Sequence, residues 1–153
     1  MENTFETRLT SPSDKSVSPL IEALSENLKE RFNSDGKNSF QFWDENDPKY
    51  IFVSLSHNNE CVGCGAIRPI NEITGEVKRM YAKYRAMGIG SAVLAALEHE
   101  AGKAGYKQLW LETRDKNIEA CNFYQKHGYK RIKNYGNYAN RPEAACFGKT
   151  LIN

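Results

Sequence analysis

The stretch RAMGIGSAVLAALEHEAG, Arg85 to Gly102, sets two glycines, Gly88 and Gly90, immediately before a strongly amphipathic run. Inside a helix each glycine costs about 1 kcal/mol relative to alanine. At a helix entrance the same residues let the backbone turn tightly and bare its N–H groups. Unpaired amides of a first helical turn converge on one spot with the positive end of the helix dipole behind them, which suits a pyrophosphate. The apolar positions Ile89, Val93, Leu94, Leu97, Ala101 and Ala104 follow at helical spacing, and Gly105 closes the helix. Two other phosphate motifs do not fit. A dinucleotide G-x-G-x-x-G would need a glycine where Val93 stands, and the GKT at Gly148–Thr150 has Glu143 in place of the first P-loop glycine. What remains is R-x-x-G-x-G, Arg85 to Gly90, between a strand and a long helix.

Outward from this turn, EVKRMYA before it and KQLWLETR after the helix read as strands, and Asn117 caps a second helix that runs through His127 to Gly128. YIFVSLS alternates, with Ile51, Val53 and Leu55 on one side; ECVGCGAIR is the next strand, turned by PINEITG. TFETRLT opens the chain as a strand, and Ser18-Pro19 begins a helix carrying Leu20, Ala23, Leu24, Leu28 and Phe32. NSDGKNSFQFWDENDPK is loop-like, its aromatics Phe40, Phe42 and Trp43 expected to pack down onto the domain. YKRIKNY and ACFGKTLI end the chain as strands around the loop GNYANRPEA. The order β-α-β-β-β-α-β-α-β-β predicts a mixed α/β layer fold, with residues 1–153 as one domain.

Composition narrows the class. A chain of 153 residues with 40% hydrophobic and 26% charged residues can bury a core. Its net charge of +2 comes from 21 basic and 19 acidic residues, scattered along the chain, which argues against a nucleic-acid partner. No apolar run approaches the roughly 20 residues of a membrane span, and MENTFETRLT has neither the basic nor the apolar part of a secretory signal. A cytoplasmic location is the default expectation. Cys61 and Cys64 form a C-x-x-C, but no second pair or histidine pair completes a zinc site. Positions three apart on a strand are expected to face opposite ways, so no metal is expected.

The segments EVKRMYA, RAMGIGSAVLAALEHEA, LWLETRDKN and NIEACNFYQKHGYKRI, in that order and spacing, resemble the GNAT family of N-acetyltransferases. The resemblance covers nearly the whole chain and culminates in Asn-x-x-Ala-x-x-Phe-Tyr-x-x-x-Gly-Tyr, Asn117 to Tyr129. One departure is Ala86, where the family commonly has a glycine. The resemblance implies a central mixed sheet with a splay between strands 4 and 5 and helices on both faces. It implies acetyl-CoA as cosubstrate, with no metal, and acetyl transfer to an amine by direct attack in a ternary complex.

By the same resemblance the amides of Met87, Gly88, Ile89, Gly90 and Ser91 hold the CoA pyrophosphate, with Arg85 adding charge at the rim. Main-chain groups around Met80, Tyr81 and Ala82 hold pantetheine, and Asn117 joins them while also capping its helix. The chemistry poses two proton problems. An alkyl ammonium must lose a proton before it attacks, at a cost of about 4 kcal/mol at pH 7, and the departing thiolate benefits from a donor. Tyr124 matches the family's general acid. Glu76 is the candidate base, four residues before Met80 and so expected on the same strand face; its alternative is an ion pair with Arg68 across the hairpin. Glu112, acting through water, is the second candidate. Arg68, Arg79 and Arg114 are expected to border the acceptor side, where guanidinium groups would orient an amine that also carries a carboxylate, such as an amino acid or short peptide. Two alternatives stay open: a protein N-terminus or lysine as acceptor, and a non-catalytic acetyl-CoA-binding sensor. A homodimer is also left open.

Overall fold

The computed structural model describes residues 4–22 and 43–151. Most of the first helix expected from sequence, and the loop aromatics Phe40 and Phe42, lie outside those residues. One seven-stranded sheet organises the fold: β1 (Glu6–Leu9), β2 (Ile51–His57), β3 (Glu60–Pro69), β4 (Thr74–Ala82), β5 (Gln108–Arg114), β6 (Lys130–Ile132) and β7 (Ala144–Thr150). The spatial order is β1-β2-β3-β4-β5-β7-β6. Helix α1 (Ile89–Lys103) crosses from β4 to β5, helix α2 (Ile118–Lys126) follows β5, and a short 3-10 turn (Gly136–Tyr138) sits between β6 and β7.

The alternation of β2 divides its side chains between two cores. Ile51, Val53 and Leu55 join Val93, Leu94, Leu97, Leu109, Leu111 and Phe147 beneath α1. Phe52 faces the other way and packs with Cys64, Ala66, Val17 and Leu20. Residues 18–22 are helical, so helices cover both faces. The amide of Ile21 donates to the carbonyl of Val17, which makes Val17 the cap residue, one position before the Ser18 expected from sequence. Burying each large aliphatic chain of α1 contributes roughly 1.5–3 kcal/mol. The helix lies flush on β3 because a Cβ on Gly63 would come within 2.6 Å of Ile89, and one on Gly65 within 2.8 Å of Leu97 and Val93.

Two irregularities in the sheet position the site. Between Leu55 and Ser56 the register with β3 slips by one residue, from Gly63 to Cys61. Val62 packs beneath α1, and so would a Cβ on Gly63. Cys61 and Cys64 therefore share the opposite face, contrary to the expectation from simple alternation. Both are free thiols, and burial pushes Cys64 up to about 12. The second slip lies in β4, where Ala66 pairs with Lys78 but Cys64 pairs with Tyr81, two residues against three. Arg79, in the extra position, has a φ of 56°. Such a bulge bends its strand and increases its twist.

The bend coincides with the end of one ladder. β4 and β5 run parallel and pair only at Thr74, Gly75 and Glu76, clamped at that end by Gln108 Nε2 donating to Thr74 Oγ1 at 2.8 Å. Beyond Glu76 the strands diverge. β5 stays with β7 all the way to Arg114, opposite Ala144. This is the splay expected between strands 4 and 5. No helix among the described residues is long and apolar enough to cross a membrane.

Candidate active site

The α1 entrance takes the conformation its glycines allow. Gly88 is the cap residue with φ 74°, it has open space where a Cβ would stand, and no side chain caps the helix. No acidic residue lies in the first turn. The first amide to find an intrahelical acceptor is that of Ala92, which donates to the Gly88 carbonyl at 3.0 Å. Ala86 adopts φ 61°, the left-handed conformation a glycine would provide, at a cost of roughly 1 kcal/mol. Gly90 has a packing reason of its own: a Cβ there would lie 3.3 Å from the Phe123 ring of α2. Ser91 Oγ lies 3.0 Å from His127 Nε2. Exposed Arg85 reaches Glu119 of α2 at 3.6 Å, and Met87 packs against the α1 core.

The bulge at Arg79 decides which way β4 points its side chains. Val77 and Met80 pack beneath α1, whereas Tyr81 packs in the opposite cluster. Glu76 and Lys78, bonded to one another at 3.8 Å, also lie on that opposite face. The expectation that Glu76 and Met80 share a face is therefore wrong, because the extra residue between them reverses the alternation. Arg79 is 6% exposed and donates to the Ile21 carbonyl at 3.3 Å, which holds the helical turn at 18–22 against the sheet. Arg79 is thus spent inside the fold, and Arg114 pairs with Glu143 at 3.8 Å.

On the face opposite α1 the sheet gathers a polar cluster. Glu76 stands opposite Arg68 in register, and Arg68 Nε donates to its Oε1 at 3.1 Å. Tyr135 donates its hydroxyl proton to Oε2 at 2.6 Å, and the Glu76 side chain is 4% exposed. Lys78 Nζ donates to the Tyr138 hydroxyl at 2.6 Å, and burial lowers its pKa against the pull of Glu76. Trp110 meets Tyr135 at a tilt of 47° with centroids 5.0 Å apart, and Tyr135 meets Tyr138 edge-on at 5.4 Å. Glu112 lies across from Cys146 and makes no hydrogen bond or ion pair among the described residues. Burial raises its pKa above the usual carboxylate value, opposed by the charges of Lys78 and Arg114. The loop NYGNYANRP, residues 134–142, supplies Tyr135 and Tyr138 as the tyrosine-rich cover its composition suggests, whereas Lys78 carried no signal in the sequence.

Helix α2 belongs to the α1 face. Asn117 Oδ1 accepts from the Ala120 amide at 3.2 Å, the cap expected from sequence. Tyr124 packs against the α1 core, edge-on to Phe123 and Tyr129. Its hydroxyl makes no hydrogen bond among the described residues, and burial raises its pKa well above the usual phenol value, so it stays protonated at neutral pH.

A sheet that opens between parallel strands, beside an uncapped helix N-terminus, is the arrangement that the resemblance to the GNAT family implies. The family model described as Acetyltransferase (GNAT) family matches residues 17–129, and this chain belongs to that family. A curated relative from Azospirillum brasilense, named as an IAA acetyltransferase, is 31% identical over 144 residues, covering 92% of this chain and 94% of its own. The crystal structure of a putative acyl-CoA N-acyltransferase from Klebsiella pneumoniae superposes with a TM-score of 0.80 at 27% identity, over 97% of this chain and 99% of that one. A GNAT family acetyltransferase from Elizabethkingia anophelis, solved with acetyl-CoA bound, shares the fold at 19% identity and a TM-score of 0.71, over 98% and 100% of the two chains. The chain is an acetyl-CoA-dependent N-acetyltransferase. Its residues fit that cosubstrate: the first turn of α1 offers uncapped amides with no competing carboxylate, and β4 past Glu76 has a main-chain edge that β5 leaves unpaired.

Proposed function

We propose that this N-acetyltransferase acts on the primary amine of a small molecule that also carries a carboxylate, an amino acid or short peptide, by direct attack in a ternary complex. The observation that carries this reading is the cluster on the face opposite α1, roofed by Tyr135 and Tyr138 and bounded by Arg68 and Glu112. Arg68 bonds Glu76 through Nε and its side chain is 36% exposed, which leaves its terminal nitrogens for a bidentate carboxylate contact. The tyrosine-roofed loop suits a small acceptor better than a folded protein.

The amides of Ile89, Gly90 and Ser91 hold the pyrophosphate, helped at the rim by Arg85, and the β4 edge at Met80, Tyr81 and Ala82 holds pantetheine. The cosubstrate supplies an acetyl group activated as a thioester. Glu112 takes the ammonium proton, directly or through water: its carboxylate is the one on this face that no cation or hydroxyl binds, and its raised pKa brings it closer to neutrality. Glu76, tied to Arg68 and Tyr135, positions the acceptor pocket and supplies charge rather than a free lone pair. Tyr124 donates its hydroxyl proton to the departing sulfur. A thiolate in the same dry setting is destabilised too, so the protonated phenol meets charge as it develops. Tyr124 lies on the α1 face and Glu112 on the other, and the splay is the gap through which groups on the two faces reach one reacting centre.

The test is a panel of amino acids against their decarboxylated amines, with free CoA release measured. The carboxylated acceptors should have the higher kcat/KM, and Arg68→Met should erase that preference. Equal rates for the decarboxylated amines, or modification of folded proteins alone, would refute the acceptor assignment and leave the acetyltransferase activity intact.

A further inference from the structure

The contact between α1 and the end of α2 contains a side-chain pair outside the catalytic cluster. Ser91, third residue of α1, lies 3.0 Å through its Oγ from Nε2 of His127, the C-cap residue of α2. His127 is fixed from several sides. Its ring packs at a tilt against Phe123 with centroids 4.6 Å apart, its amide donates to the carbonyls of Phe123 and Tyr124, and its own carbonyl accepts from Lys149 Nζ at 3.0 Å. The charged groups around it are Lys149 of β7, Glu98 of α1 bonded to that lysine at 3.0 Å, and Lys126 next to it in the chain. Both members of the pair are half-buried.

A hydroxyl has a single proton, and the imidazole decides where it goes. If Nε2 is bare, it accepts the Ser91 proton, and the hydroxyl offers a phosphate only lone pairs. If Nε2 carries hydrogen, it donates to Oγ and the Ser91 proton turns outward as a donor. The doubly protonated ring does this and adds a positive charge, favoured at the C-terminal end of α2 by the helix dipole. We infer that His127 is a positioning residue for the CoA pyrophosphate, setting the direction of the Ser91 hydroxyl and making cosubstrate affinity depend on pH. This rests on placing the pyrophosphate at the first turn of α1. Protonation precedes or accompanies binding, so affinity rises as pH falls.

The probe is dephospho-CoA, which lacks the 3′-phosphomonoester that would itself titrate in this range. Its Kd is measured by calorimetry between about pH 5.5 and 8.0, with folding of each variant checked by circular dichroism. Wild-type affinity should increase about fivefold toward the acidic end, the scale of one added charge-assisted hydrogen bond at a helix terminus. His127→Gln, which retains a side-chain N–H donor and all the surrounding charges, should bind well with its pH slope abolished. Ser91→Ala should bind more weakly with most of the slope gone. An unchanged slope in His127→Gln, with Ser91→Ala still weakened, overturns the role of His127 alone. If Ser91→Ala and Gly88→Val both bind as wild type does, the placement of the pyrophosphate falls too, and this inference with it.

Discussion

Removing the Tyr135 hydroxyl tests whether the loop over the acceptor face is closed in the free protein. Tyr135→Phe keeps the ring on Trp110 at 5.0 Å and against Tyr138, so apolar contact is conserved. It deletes the 2.6 Å hydrogen bond to Glu76 Oε2. The Glu76 carboxylate is then left with half-exposed Arg68 at 3.1 Å and Lys78 at 3.8 Å, too long to replace the lost donor. A hydrogen bond to a charged group contributes about 1.5–3 kcal/mol, and the side chain left behind is nearly shielded from water. For a domain of this size each kcal/mol moves Tm by about 2–4 °C, so the variant should melt roughly 3–12 °C below wild type. Urea unfolding gives the free energy, and a cycle with Glu76→Gln should show that the two losses are not additive. A change below about 0.5 kcal/mol, or strict additivity, would mean that water reaches Glu76 freely and that the roof is open.

Further outcomes follow from the same geometry. Tyr124→Phe should lower kcat by about a hundredfold or more with little change in acetyl-CoA binding, and turnover at the wild-type rate would reduce Tyr124 to a core residue. Because burial raises the pKa of Glu112, the acid limb of kcat/KM should lie above the usual carboxylate range and disappear in Glu112→Gln. The Lys78 charge lowers that pKa, so Lys78→Met should move the acid limb to still higher pH; a shift downward would contradict the assignment. Gly90→Val should push Phe123 away from α1 and raise the Kd for CoA at least about tenfold, a cost near 1.4 kcal/mol. Unchanged affinity in the folded variant would remove the α1 entrance from the site.

What the sequence by itself determined was local. The helix entrance at Gly88, the Asn117 cap and the terminating glycines, Gly105 and Gly128 with φ of 93° and 91°, depend on neighbours within a turn, so residue type alone predicts them. The period of the α1 apolar positions and the order of elements along the chain were legible for the same reason, and with them the family. Which face a side chain occupies was not. Alternation held until the extra residues near Gly63 and at Arg79, and each reversed it, placing Cys61 with Cys64 and parting Glu76 from Met80. A bulge depends on the register of the partner strand, which nothing within one strand encodes. The bonds that complete the acceptor face, Tyr135 to Glu76 and Lys78 to Tyr138, span 59 and 60 residues. The Ser91–His127 contact spans 36. Only the tertiary structure decided those pairs, because chain closure over such distances is set by how the sheet twists and where β5 leaves β4 for β7.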